Sequence, residues 1–151
     1  MKKKKNEFEI IRTKERFFVG MKITGPYSRM IELGIYWQLF FQRISHIKNI
    51  VHPEVAYGIT KDNVDTFTYF AAIEVEKIED VPKDMESLIL PPQEYAVFSY
   101  QGNPSGVEQA IKNAREVLDS SNTQRLEKEF WMELYEDGKF IANFSNSIIS
   151  F

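Results

Sequence analysis

The chain contains two similar halves, and this internal repeat constrains its fold more than any other feature. Residues 18–28 (FVGMKITGPYS) resemble residues 95–105 (YAVFSYQGNPS). In both halves an amphipathic helix follows, then a strand at residues 57–62 or 132–137, and then a closing strand. Two such strand–helix–strand–strand units bury their uncovered sheet faces by pairing about a pseudo-twofold axis. We therefore predict an α+β fold with an antiparallel sheet and a ligand cleft between the halves.

Hydrophobic periodicity and turn residues divide each half into its elements. Residues 63–65 and the pair Asp137-Gly138 are predicted to form hairpin turns. The acidic stretch at residues 79–93, which contains three prolines, is predicted to be the connector between the halves. The predicted strands are residues 7–24 (one long or two short), 55–62, 66–78, 94–102, 127–138 and 139–151, and the predicted helices are residues 28–47 and 105–118.

The charge of the chain makes it a poor electrostatic match for nucleic acid. The sequence has 19 basic and 22 acidic residues, a net charge of −3. Four of the basic residues are consecutive lysines at positions 2–5, and without them 15 basic residues face 22 acidic ones, a net charge of −7. A folded body this acidic repels a phosphate backbone. We interpret residues 1–6 as a flexible, solvated tail of a single domain formed by residues 1–151.

Residue usage excludes several other classes of site. There is no cysteine, which rules out disulfides, thiolate metal sites and cysteine nucleophiles. The two histidines, His46 and His52, lack a metal-ligand spacing, so we expect no metal and no cofactor. Neither a transmembrane run nor the apolar core of a signal peptide is found, so we expect a cytoplasmic protein without membrane contact.

The segment at residues 130–135 (FWMELY) carries the most chemical information. In a strand, Trp131, Glu133 and Tyr135 share one face, while the alternate residues are apolar and suit a core. Burial of a charge is costly unless the charge is paired. Glu133 is therefore either exposed on an outer sheet face or held among aromatic rings for a cationic partner.

Three segments in order resemble the GyrI-like family, also described as bacterial transcription-activator effector-binding domains. They are residues 90–102 (LPPQEYAVFSYQG), the helix that follows, and residues 130–138 (FWMELYEDG). The first half is also similar, around Trp37 and the Tyr57-Gly58-Ile59 strand. The resemblance implies two strand–helix–strand–strand units with a hydrophobic cleft between them. It also implies that the cleft binds lipophilic, often cationic small molecules, and that Glu133 faces the ligand.

Aromatic side chains around Glu133 form the predicted wall of this ligand site, because aromatic rings attract organic cations. For Trp37 and Phe40 plain core packing remains an equal alternative, and Phe41 and Ile44 are expected in the core. The predicted wall residues are Tyr36, Trp37, Phe40, Tyr57, Trp131 and Tyr135.

The resemblance leads to three functional hypotheses. Only a lysine tail precedes the first strand, so we expect a stand-alone protein without direct DNA binding that sequesters or senses lipophilic cations. The first alternative is a hydrolase that detoxifies cyclopropane-bearing genotoxins, with Glu133 as general base. The second alternative is an inhibitor that interacts with gyrase. Whether the protein is an enzyme therefore stays open at the level of sequence.

Overall fold

Nine strands and an α-helix account for most of the residues whose positions are described. The computed structural model describes residues 9–101, 109, 112–113, 116–117, 120, 124–125, 130–136 and 141–149. The elements with defined bounds are β1 (Glu9–Thr13), β2 (Arg16–Pro26), α1 (Leu33–Arg43), β3 (Val55–Asp62), β4 (Thr66–Val75), β5 (Glu86–Leu90), β6 (Gln93–Gln101), β7 (Gln124–Arg125), β8 (Phe130–Glu136) and β9 (Ile141–Ile149).

The predicted second helix is described at only some of its positions. Residues 109, 112–113 and 116–117 of the predicted span 105–118 are helical, as is residue 120. The other positions of that span, like the lysine tail and the turn at 137–138, lie outside the described residues. Within the described part of the chain, no helix is both long and apolar enough to cross a bilayer.

The described strands form one antiparallel sheet whose order is symmetric about its centre. The order is β1-β6-β9-β8-β3-β4-β2-β5, and β7 pairs with β9. On one side of the central β3–β8 pair come β4 and β2, and on the other side come β9 and β6, their counterparts in the repeat. The first strand of each half crosses over, since β1 pairs with β6 and β5 pairs with β2. The predicted α+β fold of two related units is confirmed.

Strand β5 corrects the prediction of a connector at residues 79–93. Glu86–Leu90 pairs antiparallel with β2 from Arg16 to Gly20. Leu90 is buried and Leu88 is half-buried, both against the same core, while Ile89 between them is exposed. The alternation typical of an edge strand is thus present. The acidic residues and the prolines around it led to the prediction of a connector instead.

The sheet has two faces with separate hydrophobic cores, here called the helix face and the opposite face. On the helix face, α1 packs over β2 and β4, against buried Val19, Ile23 and Tyr69. On the opposite face, Phe18 and Phe70 meet Tyr95 of β6. Because side chains alternate along a strand, neighbours such as Phe18 and Val19 belong to different cores.

Helix α1 is shorter than the predicted span of residues 28–47. Tyr27–Glu32 and Ile44–His46 are 3-10 turns that flank an α-helix of 11 residues. Its helical spacing buries Phe40 completely, whereas Phe41 is 53% exposed. The expectation that Phe41 lies in the core is wrong, because Leu33, Trp37, Phe40 and Ile44 already make up the stripe that faces the sheet.

The predicted hairpin at residues 63–65 joins β3 to β4 and contains a strained residue. The Asn63 amide donates to the Thr66 carbonyl oxygen at 2.9 Å. Val64 has φ of 78°, and its side chain is 83% exposed. A left-handed conformation costs an L-residue about 1–2 kcal/mol. The turn therefore stores strain at an exposed residue.

Replacement of Val64 by glycine is expected to raise the free energy of unfolding by about 0.5–1 kcal/mol. Relief of the left-handed strain exceeds the extra chain entropy of glycine, which is about 0.5–1 kcal/mol. Urea unfolding measures the change. Val51→Gly is the matched control, since Val51 is also exposed but has no positive φ, and it should lose stability. A loss in both variants would contradict the prediction.

Candidate functional site

Four aromatic side chains of α1 and β4 meet on the helix face, and we call them the Trp37 cluster: Trp37, Phe40, Phe41 and Tyr69. The Trp37 Nε1–H group donates a hydrogen bond to the Tyr69 hydroxyl at 3.0 Å. The Trp37 ring meets Phe40 edge-on at 5.9 Å and lies 5.4 Å from the Phe41 ring. The hydrogen bond ties the helix to the sheet and satisfies the polar end of a half-buried indole.

Tyr36, a predicted wall residue, lies beside a cation that the protein itself supplies. The Arg29 Nη2 group donates to the Tyr36 hydroxyl at 3.3 Å and to a Glu32 carboxylate oxygen at 3.0 Å. The hydrogen bond with Glu32 is the main cause that raises the pKa of Arg29 above its usual value. This exposed pair occupies the polar edge of the half-buried Tyr36 ring.

Between Val55 and Lys61, strand β3 places only small residues on the helix face. Ala56, Gly58 and Thr60 share this face, and all three are buried. Their register neighbours on β4 include Ala71 beside Gly58 and Tyr69 beside Thr60. We call Ala56, Gly58 and Thr60 the β3 floor. A strand with so little side-chain volume contributes few atoms to the side of the sheet that carries the aromatic cluster.

The predicted residues of β8 belong to the same face as the β3 floor. In the antiparallel register, Glu133 pairs with Gly58 and Trp131 pairs with Thr60. Tyr135 pairs with Ala56. Residues that oppose each other directly in such a ladder share a face of the sheet. The backbone therefore brings all three positions next to the small residues of β3.

The pair of Gly58 and Glu133 lies on the pseudo-twofold axis. The repeat aligns residues 57–62 with residues 132–137, so Gly58 is the counterpart of Glu133 in the first half. The two residues are also direct register partners between β3 and β8. Two counterparts that face each other across a symmetric pair mark its axis. At the centre of the sheet, one half thus supplies a carboxylic acid and the other half supplies no side chain.

Tyr57 lies on the opposite face of the sheet from Trp37, where it joins the second core. The Arg16 Nη2 group donates to the Tyr57 hydroxyl at 3.1 Å and to a Glu74 carboxylate oxygen at 3.1 Å. The Arg16 guanidinium carbon is 5.1 Å from the Phe18 ring centre and 5.3 Å from that of Tyr57.

The Arg16 guanidinium remains charged in this half-buried position. Burial favours its neutral form, but the hydrogen bond to Glu74 and the nearby Tyr57, Glu74 and Tyr95 outweigh that effect and raise the pKa of Arg16. On the opposite face, Tyr57 therefore contacts the internal ion pair of Arg16 and Glu74.

Sequence reasoning did not find two parts of the site, Tyr69 and the β3 floor. The signal for the floor was present in residues 55–60 (VAYGIT), where large and small side chains alternate. The same alternation assigns Tyr57 to the face away from the floor. Tyr69 carried no such signal, since its contact with Trp37 joins residues 32 positions apart.

A curated relative is similar to this chain over part of its length. Across 95 residues, or 62% of the chain, the sequence is 32% identical to the transcriptional regulator BrlR of Pseudomonas aeruginosa. The matched stretch makes up 35% of BrlR, so the chain corresponds to about a third of that regulator.

Solved structures share the fold over nearly the whole chain. SAV2435, solved with tetraphenylphosphonium bound, has a TM-score of 0.78 at 21% identity, covering 95% of this chain and 94% of its own. A hydrolase from Listeria innocua has a TM-score of 0.59 at 9% identity, covering 96% and 93%. The TM-scores show a common fold, and at identities this low the likeness shows the fold alone.

A family model accounts for the two halves together. The GyrI-like small molecule binding domain matches residues 6–143, which include the first half, most of the second half and the central β3–β8 pair. With its repeated strand–helix–strand–strand order and the sheet built from it, the chain belongs to the GyrI-like family of small-molecule-binding domains.

Proposed function

We propose that this protein binds bulky lipophilic cations on the helix face, above β3 and β8, with Glu133 as the counter-charge. The observation that carries the proposal is the register of Glu133 opposite Gly58, the central residue of the β3 floor. An acidic residue at the centre of a sheet face that also holds an aromatic cluster suits a ligand with one positive charge and apolar groups around it.

The physical chemistry of the face favours such a ligand. Each aromatic ring in contact with an organic cation contributes about 0.5–2 kcal/mol, depending on how far the cation is desolvated. A carboxylate attracts a cation more strongly near protein than in water, because the effective dielectric constant is lower. The net negative charge of the chain also raises the local concentration of cations. The SAV2435 complex with tetraphenylphosphonium makes that cation a suitable probe.

Replacement of Glu133 by glutamine is expected to weaken tetraphenylphosphonium binding about 5- to 150-fold. This range corresponds to loss of about 1–3 kcal/mol of Coulomb attraction between the carboxylate and the phosphonium charge. Isothermal titration calorimetry with the wild type and the variant measures the change. Binding of triphenylphosphine oxide, a neutral compound with similar rings, should stay within about twofold, because glutamine keeps the shape of the side chain.

Glu136→Gln is the matched control for this experiment. Glu136 lies on the same strand but pairs with Val55, so strand alternation assigns it to the opposite face. Its replacement removes the same charge from the chain without changing the proposed site, and affinity should stay within about twofold. Equal losses for the two variants, or for the charged and neutral compounds, would remove Glu133 from the site.

The hydrolase alternative shares the same residue and is tested with the same variant. Its support is the common fold with the Listeria innocua hydrolase and the acidic residue at the centre of the helix face. If the protein hydrolyses a cyclopropane-bearing electrophile, mass spectrometry will detect a hydrated product with the wild type and none with Glu133→Gln. The gyrase-interaction alternative stays a prediction, which co-purification of the two proteins would test.

A further inference from the structure

We infer that Gly58 determines the size of the cation that the proposed site accepts. The inference rests on the proposed function and concerns the half of the site that carries no charge. A glycine inside a strand weakens the strand by about 0.5–1 kcal/mol and is typical of places where a ligand or another backbone comes close. In this sheet the glycine lies directly opposite Glu133, on the pseudo-twofold axis.

The neighbours of Gly58 on the helix face include further small residues. Ala71, the β4 partner of Gly58, is fully buried and also small. Ala56 and Thr60 precede and follow Gly58 on the same face, and both are buried. Successive register partners across the sheet are therefore Glu133 of β8, Gly58 of β3, Ala71 of β4 and Met21 of β2.

The asymmetry at the axis indicates the chemical class of the ligand. Two equivalent carboxylates at this centre would suit a divalent cation, but here the register sets one acidic residue, Glu133, opposite a glycine. The arrangement suits a monovalent centre with bulky apolar groups, some of which extend over the β3 floor. A compact monovalent cation can contact Glu133 without reaching across to Gly58.

A side chain at position 58 is therefore expected to discriminate between cations by size. We expect Gly58→Val to weaken tetraphenylphosphonium binding at least tenfold and benzyltrimethylammonium binding less than threefold. For Gly58→Ala we expect the larger cation again to lose more affinity than the smaller one, but by a smaller factor. Calorimetric titration of each variant with both cations measures the ratio. Gly34→Val is the control, because an added Cβ at Gly34 meets no atom within 4 Å, and it should change neither affinity.

The outcomes separate this inference from the proposed function. If the wild type binds neither cation, the proposed function fails. If the wild type binds both and Gly58→Val weakens both equally, or weakens neither, the role of Gly58 is overturned while the proposed function stands. Should Gly58→Val fail to fold, Gly58→Ala and Ala56→Val test the same size effect, since Ala56 belongs to the same floor.

Discussion

Replacement of Phe40 by alanine is expected to lower the free energy of unfolding by about 3–5 kcal/mol, the range for a fully buried phenylalanine. Phe40 is 0% exposed and packs against Trp37 and the sheet core. The truncation removes the contacts of the ring and leaves a cavity beneath α1. Urea unfolding followed by circular dichroism measures the loss.

Phe41→Ala is the control for this prediction, because it removes the same ring from the next residue of the helix. Phe41 is 53% exposed, so its truncation should cost less than about 1 kcal/mol. Trp37 touches both rings. Similar losses in the two variants would contradict the orientation of α1 on the sheet.

Replacement of Gly20 by alanine is expected to cost about 3 kcal/mol or more, at the upper end for added volume in a packed region. A Cβ at this position would lie 2.2 Å from the Ala71 carbonyl oxygen and 2.7 Å from the Ala72 Cα atom. Both are backbone atoms, so relief requires β2 and β4 to move apart. The free energy of unfolding from a denaturant titration measures the effect.

Gly34→Ala is the matched control for Gly20→Ala. Gly34 lies in α1 with nothing within 4 Å of an added Cβ. Alanine favours the helix over glycine by about 0.8–1 kcal/mol, so this variant should gain stability. The two substitutions thus add the same methyl group but are expected to change the free energy of unfolding in opposite directions. A neutral result for Gly20→Ala would show that β2 and β4 are not as close as described.

Much of the fold could be predicted because its signals are local. The hairpin at residues 63–65 and the β-branched and aromatic residues of β4 are properties of short segments. The repeat identified the order of elements before any pairing was known. Strand β5 was missed since its own signal spans five residues and it depends on pairing with β2, about 70 positions away.

The candidate site divides in the same way between local and non-local information. Alternation along residues 131–135 predicts that Trp131, Glu133 and Tyr135 share a face, and in the register these positions oppose Thr60, Gly58 and Ala56. It did not reveal that β3 would be the neighbouring strand or that Glu133 would oppose Gly58. Alternation separates Tyr57 from Gly58, but only the pairing of β3 with β4 showed that the face of Tyr57 is the one away from α1.

The sequence by itself determined which residues share a face, because a strand alternates with a period of two whatever its neighbours are. It also determined the repeat and the acidic character of the chain. Only the tertiary structure decided that Phe40 is buried and Phe41 exposed, that Trp37 donates to Tyr69, and that Glu133 lies opposite Gly58. Those outcomes depend on contacts between residues distant in the chain, whose energies are summed only when the whole sheet and its helix are assembled.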